Sequence, residues 1–111
     1  MLSFISEQFN VGLVEGVFRQ RLLICIIKEA LEKRGFKITR NGDDLFYEGK
    51  KLTVSIAIKS INSILIHTGI NIDSTNAPVK ASGLTSELGI TDIKELAQEI
   101  LTNYSEEIND I

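Results

Sequence analysis

At 111 residues, with 43% apolar and 24% charged residues, the chain has the composition of a globular protein and enough length for one core but not two. A formal charge of −3 excludes a nucleic-acid binder that works by neutralising phosphates, which needs a dense lysine and arginine surface. The longest apolar run, Leu22 to Ile27, is far short of the roughly 20 residues that cross a bilayer, and no basic-then-apolar signal opens the sequence, so a cytoplasmic protein is expected. Cys25 and His67 are the only residues of their kinds, which rules out an intrachain disulfide and argues against a structural zinc site.

Leu2 to Phe9 has the spacing of a short amphipathic helix, with Asn10 as the cap of a second helix running to about Arg34, where Gly35 ends it. The centre of that second helix, Leu22 to Ile27, is apolar all round, so it should be covered on more than one side, and Cys25 within it reads as a buried structural thiol. From Phe36 the pattern changes to strands. Phe36 to Arg40, a turn at Asn41-Gly42-Asp43, Leu45 to Tyr47 and a second turn near Glu48-Gly49 spell a β-meander.

Two longer strands follow. In Lys51 to Lys59 the residues Leu52, Val54, Ile56 and Ile58 alternate with smaller or polar ones, and in Ser63 to Ile72 the residues Ile64, Ile66, Ile70 and Ile72 share a face. The segment from Asp73 to Thr91, which holds Pro78, reads mostly as loop with a short helical turn near Ser86 to Leu88, placed to cover a site. Asp92 then opens a helix, with Glu95 three positions on and a stripe of Ile93, Leu96, Ala97, Ile100, Leu101, Tyr104 and Ile108. The expected architecture is α+β: a mainly antiparallel sheet, meander plus long hairpin, packed by a long helix and a C-terminal helix in a single domain over residues 1–111.

If the two long strands form a hairpin around Ser60-Ile61-Asn62 with a register symmetric about Ile61, Ser55 faces His67 and Lys51 faces Asn71. Lys51, Thr53, Ser55, His67, Gly69 and Asn71 then line one polar face and the branched aliphatics fill the other. On that strip Lys51 would supply positive charge for a phosphate or carboxylate, Asn71 an amide, and Gly69 close approach of a ligand to the backbone. A simply solvated face is the more economical reading of the spacing alone, since antiparallel sheets commonly leave one side wet. Asp43-Asp44 is better explained by the turn than as a magnesium pair, and Arg19-Gln20-Arg21 as a helix surface than as an anion grip.

The run Gly49-Lys50-Lys51-Leu52-Thr53-Val54-Ser55-Ile56, then Gly69-Ile70-Asn71-Ile72, Ala77-Pro78 and Ser86-Glu87-Leu88-Gly89, resembles the C-terminal part of biotin protein ligases and lipoate ligases. Arg19-Gln20-Arg21, Gly42-Asp43-Asp44-Leu45, Ser55-Ile56-Ala57 and Leu65-Ile66-His67 are similar to an uncharacterised prokaryotic family, domain of unknown function number 366. The first resemblance implies a lysine, Lys51, that touches both the acid's carbonyl and the nucleotide phosphate as an acyl-adenylate forms, with Asn71 at the nucleotide end. It implies ATP with magnesium as cofactor. Two departures stand out: Val54 occupies a position where the ligases usually have glycine, and their Gly/Arg-rich closing loop lies upstream of the residues present. The family resemblance also implies an N-terminal half, carried elsewhere.

Two readings follow from the sequence. In one, the chain is a ligase-like module, incomplete as an enzyme, that binds an adenine nucleotide or acyl-adenylate along Lys51 and Asn71. In the other it is an assembly domain whose uncovered strand edge or helix makes a homo-oligomer, or pairs with the N-terminal half on another chain, without any ligand.

Overall fold

The computed structural model describes residues 1–75 and 80–110; Ala77-Pro78 lies outside them. Among the described residues eight elements follow in chain order: β1 (Leu2–Phe9), α1 (Leu13–Lys33), β2 (Ile38–Asn41), β3 (Asp44–Tyr47), β4 (Lys50–Lys51), β5 (Thr53–Lys59), β6 (Ser63–Ile70) and α2 (Ile93–Asp110). Two antiparallel sheets of three strands, ordered β1-β6-β5 and β2-β3-β4, and two helices make the α+β fold that the pattern predicts.

The first element departs from the sequence reading. Leu2 to Phe9 is not a helix but the edge strand β1, in antiparallel register with β6 from Leu2 opposite Ile70 to Phe9 opposite Ser63. Asn10 caps nothing: it takes a left-handed conformation, φ 55°, that turns the chain out of β1. Helix α1 starts at Leu13 behind Gly12 without a side-chain cap, so tertiary packing, not capping, fixes its start.

That packing is close. A Cβ on Gly16 would lie 2.6 Å from Ile64 Cγ2, so the missing side chain is what lets α1 settle on β6. Leu23, Ile24, Ile26, Ile27, Ala30 and Leu31 of α1 are buried, confirming that the apolar centre is covered on several sides. Cys25 is half-buried, not fully enclosed as the sequence suggested, because its position turns toward solvent beside Phe18 and Arg21.

The meander appears as read, with left-handed Gly42 in its first turn and left-handed Glu48 and Gly49 in its second. A backbone bond from Leu52 N–H to the Leu45 carbonyl, 2.8 Å, and a bond from Leu45 N–H to the Thr53 side-chain Oγ1, 3.0 Å, join it to the main sheet. Helix α2 lies on α1. Its stripe of Leu96, Ile100 and Tyr104 is buried, whereas Leu101 is half exposed, and Tyr104 OH donates to the Arg19 carbonyl at 3.1 Å. Arg34 clamps the two helices through Glu99 at 3.2 Å and Asp92 at 3.5 Å.

Candidate functional site

The hairpin register decides which residues can meet. Thr53 pairs with Ile70, Ser55 with Thr68, Ile56 with His67 and Lys59 with Ile64, one residue away from the register symmetric about Ile61. The physical cause is the turn, which holds two residues, Ile61 and Asn62, closed by a 2.8 Å bond from Ser60 N–H to the Ser63 carbonyl, and not three residues centred on Ile61. At the head of β5 the alternation also breaks, with Leu52 and Thr53 adjacent and both fully buried and Thr53 Oγ1 accepting from Leu45 N–H. After that break the small residues Ser55 and Ala57 lie beneath α1, and the large ones Val54, Ile56 and Ile58 turn outward. The β6 faces stay as read, with Ile64, Ile66 and Ile70 in the core.

The six residues of the polar strip therefore separate into three groups. Thr53 and Ser55 belong to the inside. Ser55 Oγ accepts from buried Gln20 Nε2 at 2.8 Å and shares a hydrogen bond of 2.8 Å with Thr68 Oγ1, while the same Gln20 amide donates to Asp43 Oδ2 at 3.2 Å. This network bolts the meander turn and the hairpin to α1; it fills the hydrogen-bonding capacity that a ligand would need.

His67 and Gly69 lie on the outer face of the sheet. His67 sits exposed between Ile5 and Ile56, its strand neighbours, and the Met1 thioether lies over Gly69 where a Cβ would be. Val54, opposite Gly69, projects from the same face. The glycine-to-valine departure thus does put bulk on this open face.

Lys51 and Asn71 do come together, at the end of the sheet where β5 begins and β6 finishes. Asn71 Nδ2 donates to the Lys51 carbonyl at 3.4 Å, and Asn71 N–H donates to the Leu52 carbonyl at 2.9 Å. The Lys51 ammonium lies 3.3 Å from Asp44 Oδ1 and remains partly exposed, so the pair is accessible to an approaching anion.

The loop read as a cover is fastened to this junction. Lys51 N–H donates to the Lys80 carbonyl at 3.3 Å, Ser82 N–H returns a bond to the Lys51 carbonyl at 2.8 Å, and Ser82 Oγ donates to the Lys50 carbonyl at 2.9 Å. A short parallel bridge between Lys51 and Ala81 results, and it brings exposed Lys50 and Lys80 beside Lys51. Sequence spacing could not show Lys80 there, because the contact crosses a long loop; Lys50 was visible as the neighbour of Lys51.

Past the junction, the helical turn expected near Ser86 to Leu88 forms, with Leu88 N–H bonded to the Gly83 carbonyl. Glu87 holds it, accepting from Ser74 Oγ at 2.5 Å, Ser86 Oγ at 2.6 Å and Gly83 N–H at 2.8 Å. The Ser74 and Ser86 hydroxyls keep its carboxyl below the usual carboxylate range, helped by the charge of Lys50.

The three lysines adjoin one another along the backbone at this strand end, and the Lys51 ammonium, placed there by its pairing with Asp44, is a cation that can meet an anionic group. They provide no dedicated magnesium pair, since Asp43 accepts from Gln20 and Asp44 faces Lys51. Among the described residues no group of three or more His, Cys, Asp or Glu side chains is arranged to hold a metal ion, and no helix is long and apolar enough to cross a membrane.

The fold has close parallels. The uncharacterized protein MJ0805 of Methanocaldococcus jannaschii is 46% identical over 112 residues, which cover 99% of this chain and 50% of that protein. A protein of unknown function from Pyrococcus horikoshi superposes with a TM-score of 0.88 at 35% identity, over 97% of this chain and 58% of that one. A biotin protein ligase mutant from Aquifex aeolicus, in complex with biotin, superposes with a TM-score of 0.81 at 21% identity, over 97% of this chain and 49% of the ligase. The chain thus has a biotin/lipoate-ligase-like fold and spans about half the length of the relatives it matches. Matched over residues 1–111 by the model of the family described as Domain of unknown function (DUF366), the chain belongs to that family.

Proposed function

We propose that the chain is a ligase-like module that binds an adenine nucleotide or an acyl-adenylate at the Lys51 and Asn71 junction and is incomplete as an enzyme. The observation that carries the reading is the junction itself: Asn71 braces the Lys51 backbone, the Lys51 ammonium stands partly exposed beside Asp44, and exposed Lys50 and Lys80 adjoin it along the backbone. Phosphates would sit among the lysines, and the apolar part of an acid would lie toward Val54. The likeness to a ligase whose structure holds biotin supports this assignment.

Lys51 is the group to test. It would exchange its Asp44 partner for a phosphate or carboxylate oxygen, where fixed positive charge counters the charge of the ligand. Calorimetric titration with ATP and magnesium should give saturable binding that weakens about tenfold in Lys51→Ala, on the scale of one charge-assisted hydrogen bond. Unchanged affinity in that variant would remove Lys51 from the site; no heat at millimolar ATP would sink the nucleotide reading and leave the assembly reading, which the exposed apolar face favours.

A further inference from the structure

Helix α1 carries a polar side chain on a buried face that is otherwise aliphatic. Gln20 is 3% exposed and shares that face with Gly16, Leu23, Ile24 and Ile27, all buried. An amide placed there must recover the hydrogen bonds it gives up to water, a requirement that a leucine of similar volume would not carry. The Gln20 amide recovers them in a particular way. Its Nε2 donates to Asp43 Oδ2 at 3.2 Å and to Ser55 Oγ at 2.8 Å, and Ser55 shares a hydrogen bond of 2.8 Å with Thr68 Oγ1. One amide therefore holds the turn between β2 and β3 at a fixed distance from β5 and β6.

That turn contains two adjacent carboxylates with different partners. Asp43 points inward to Gln20. Asp44, the first residue of β3, stands diagonal to Lys51, whose direct partner across the β3-β4 pair is Phe46, and its Oδ1 lies 3.3 Å from the Lys51 ammonium. A shift of the turn by one residue would exchange the two carboxylates and take Asp44 away from Lys51. The inward donor on Gln20 distinguishes the two arrangements, because it accepts one carboxylate only. At the far end of the same network Thr68 lies on β6, which finishes at Ile70, one residue before the Asn71 whose side chain donates to the Lys51 carbonyl.

We propose that Gln20 is a positioning residue for the Lys51 and Asn71 site: without touching a ligand, it keeps Asp43 turned inward and Asp44 on the Lys51 ammonium, and so sets where that cation stands. Its effect on anion affinity rests on the nucleotide reading above, whereas its effect on Lys51 is independent of any ligand.

Three variants separate positioning from packing. Gln20→Leu removes the amide; Asp43 is partly exposed and can turn to water, and Ser55 keeps Thr68, so no buried group is left unpaired. Gln20→Glu sets a carboxylate against Asp43. Gln20→Glu combined with Asp43→Asn exchanges donor and acceptor, and the Ser55 hydroxyl can donate to the new carboxylate. The ligand-free readout is the nitrogen–proton NMR correlation of the Lys51 ammonium, assigned with Lys51→Arg and calibrated with Asp44→Asn, which removes the ion pair. Calorimetric titration with ATP and magnesium and the urea midpoint complete the set.

For Gln20→Leu the ammonium signal should move toward that of Asp44→Asn, with ATP affinity lowered about fivefold, on the scale of one hydrogen bond, and the urea midpoint at or above that of wild type. Gln20→Glu should lower affinity and midpoint together, and the double variant should return the ammonium signal and the affinity to wild-type values. An ammonium signal unmoved by Gln20→Leu would overturn the proposal. So would a midpoint that falls in step with affinity in Gln20→Leu, or a double variant that regains the midpoint without the signal. A wild-type chain that gives no heat at millimolar ATP would remove the nucleotide reading alone, because the ammonium signal still decides whether Gln20 aims Lys51.

Discussion

Gly16 and Gln20, one helical turn apart, show how single positions set the distance between α1 and the sheet. Gly16 admits Ile64, a β-branched side chain that is fully buried and has no room to retreat. Alanine there gains about 0.8–1 kcal/mol of helix propensity but forces a methyl group into Ile64, and overpacking of this kind costs about 1–3 kcal/mol. Gly16→Ala should therefore lower the urea midpoint despite its better propensity, and a variant that also shortens Ile64 to valine should recover part of the loss. Gln20 could be read from the sequence only as a member of a polar helix surface. Its burial and its bonds to Asp43 and Ser55 come from segments far apart in the chain, which local spacing cannot reveal.

At the level of elements, the long helix, the meander, both long strands and the C-terminal helix were legible, because each repeats one period over many residues or carries glycine where a turn needs left-handed backbone. Two elements misled for the same reason. In β1 both faces carry large apolar residues, Phe4 inside and Ile5 and Phe9 outside, so the spacing of Leu2, Ile5 and Phe9 imitates a helix. In β5 the more apolar face points outward, so hydrophobicity assigned Val54, Ile56 and Ile58 to a core that takes Thr53, Ser55 and Ala57 instead. The site strip inherited that error: Lys51 and Asn71 meet, while Thr53, Ser55, His67 and Gly69 fall on opposite sides. The segment after β6 depends on a charge. The carboxyl of Glu87 is held below its ordinary value near 4.5, so the stability it lends the turn is present above that value and is lost as pH falls through the lowered one. Amide exchange at Gly83, whose N–H donates to Glu87, should accelerate relative to α1 amides below about pH 4.5, once the intrinsic pH dependence of exchange is removed. Glu87→Gln should show fast exchange at Gly83 already at neutral pH.

For the molecule as a whole, the misread face carries the consequence. Among the described residues, strands put branched aliphatics on both sides of a three-stranded sheet and helices cover one side, which makes two apolar surfaces and one cover. Sequence periodicity counts such residues as core because it registers their hydrophobicity and not which face of the sheet the helices take. The chain should accordingly fold, since α1, α2 and the meander enclose a continuous core from Leu23 to Tyr104, and yet behave as a surface-active body. An apolar dye such as anilinonaphthalene sulfonate reports that state directly. Molten states also bind it, but they lose their near-ultraviolet dichroism, whereas this chain should keep its aromatic signal, with Phe36 and Tyr47 edge to face at 5.9 Å, while it binds the dye. Replacing Ile56 and Ile58 by glutamate and lysine should quench most of the dye fluorescence and leave the dichroism in place. If dichroism and dye response changed together, the dye would be reporting a loosened core and the outer face would not be the open surface; if only the dye response fell, the face that the sequence assigned to the interior would be the one in water.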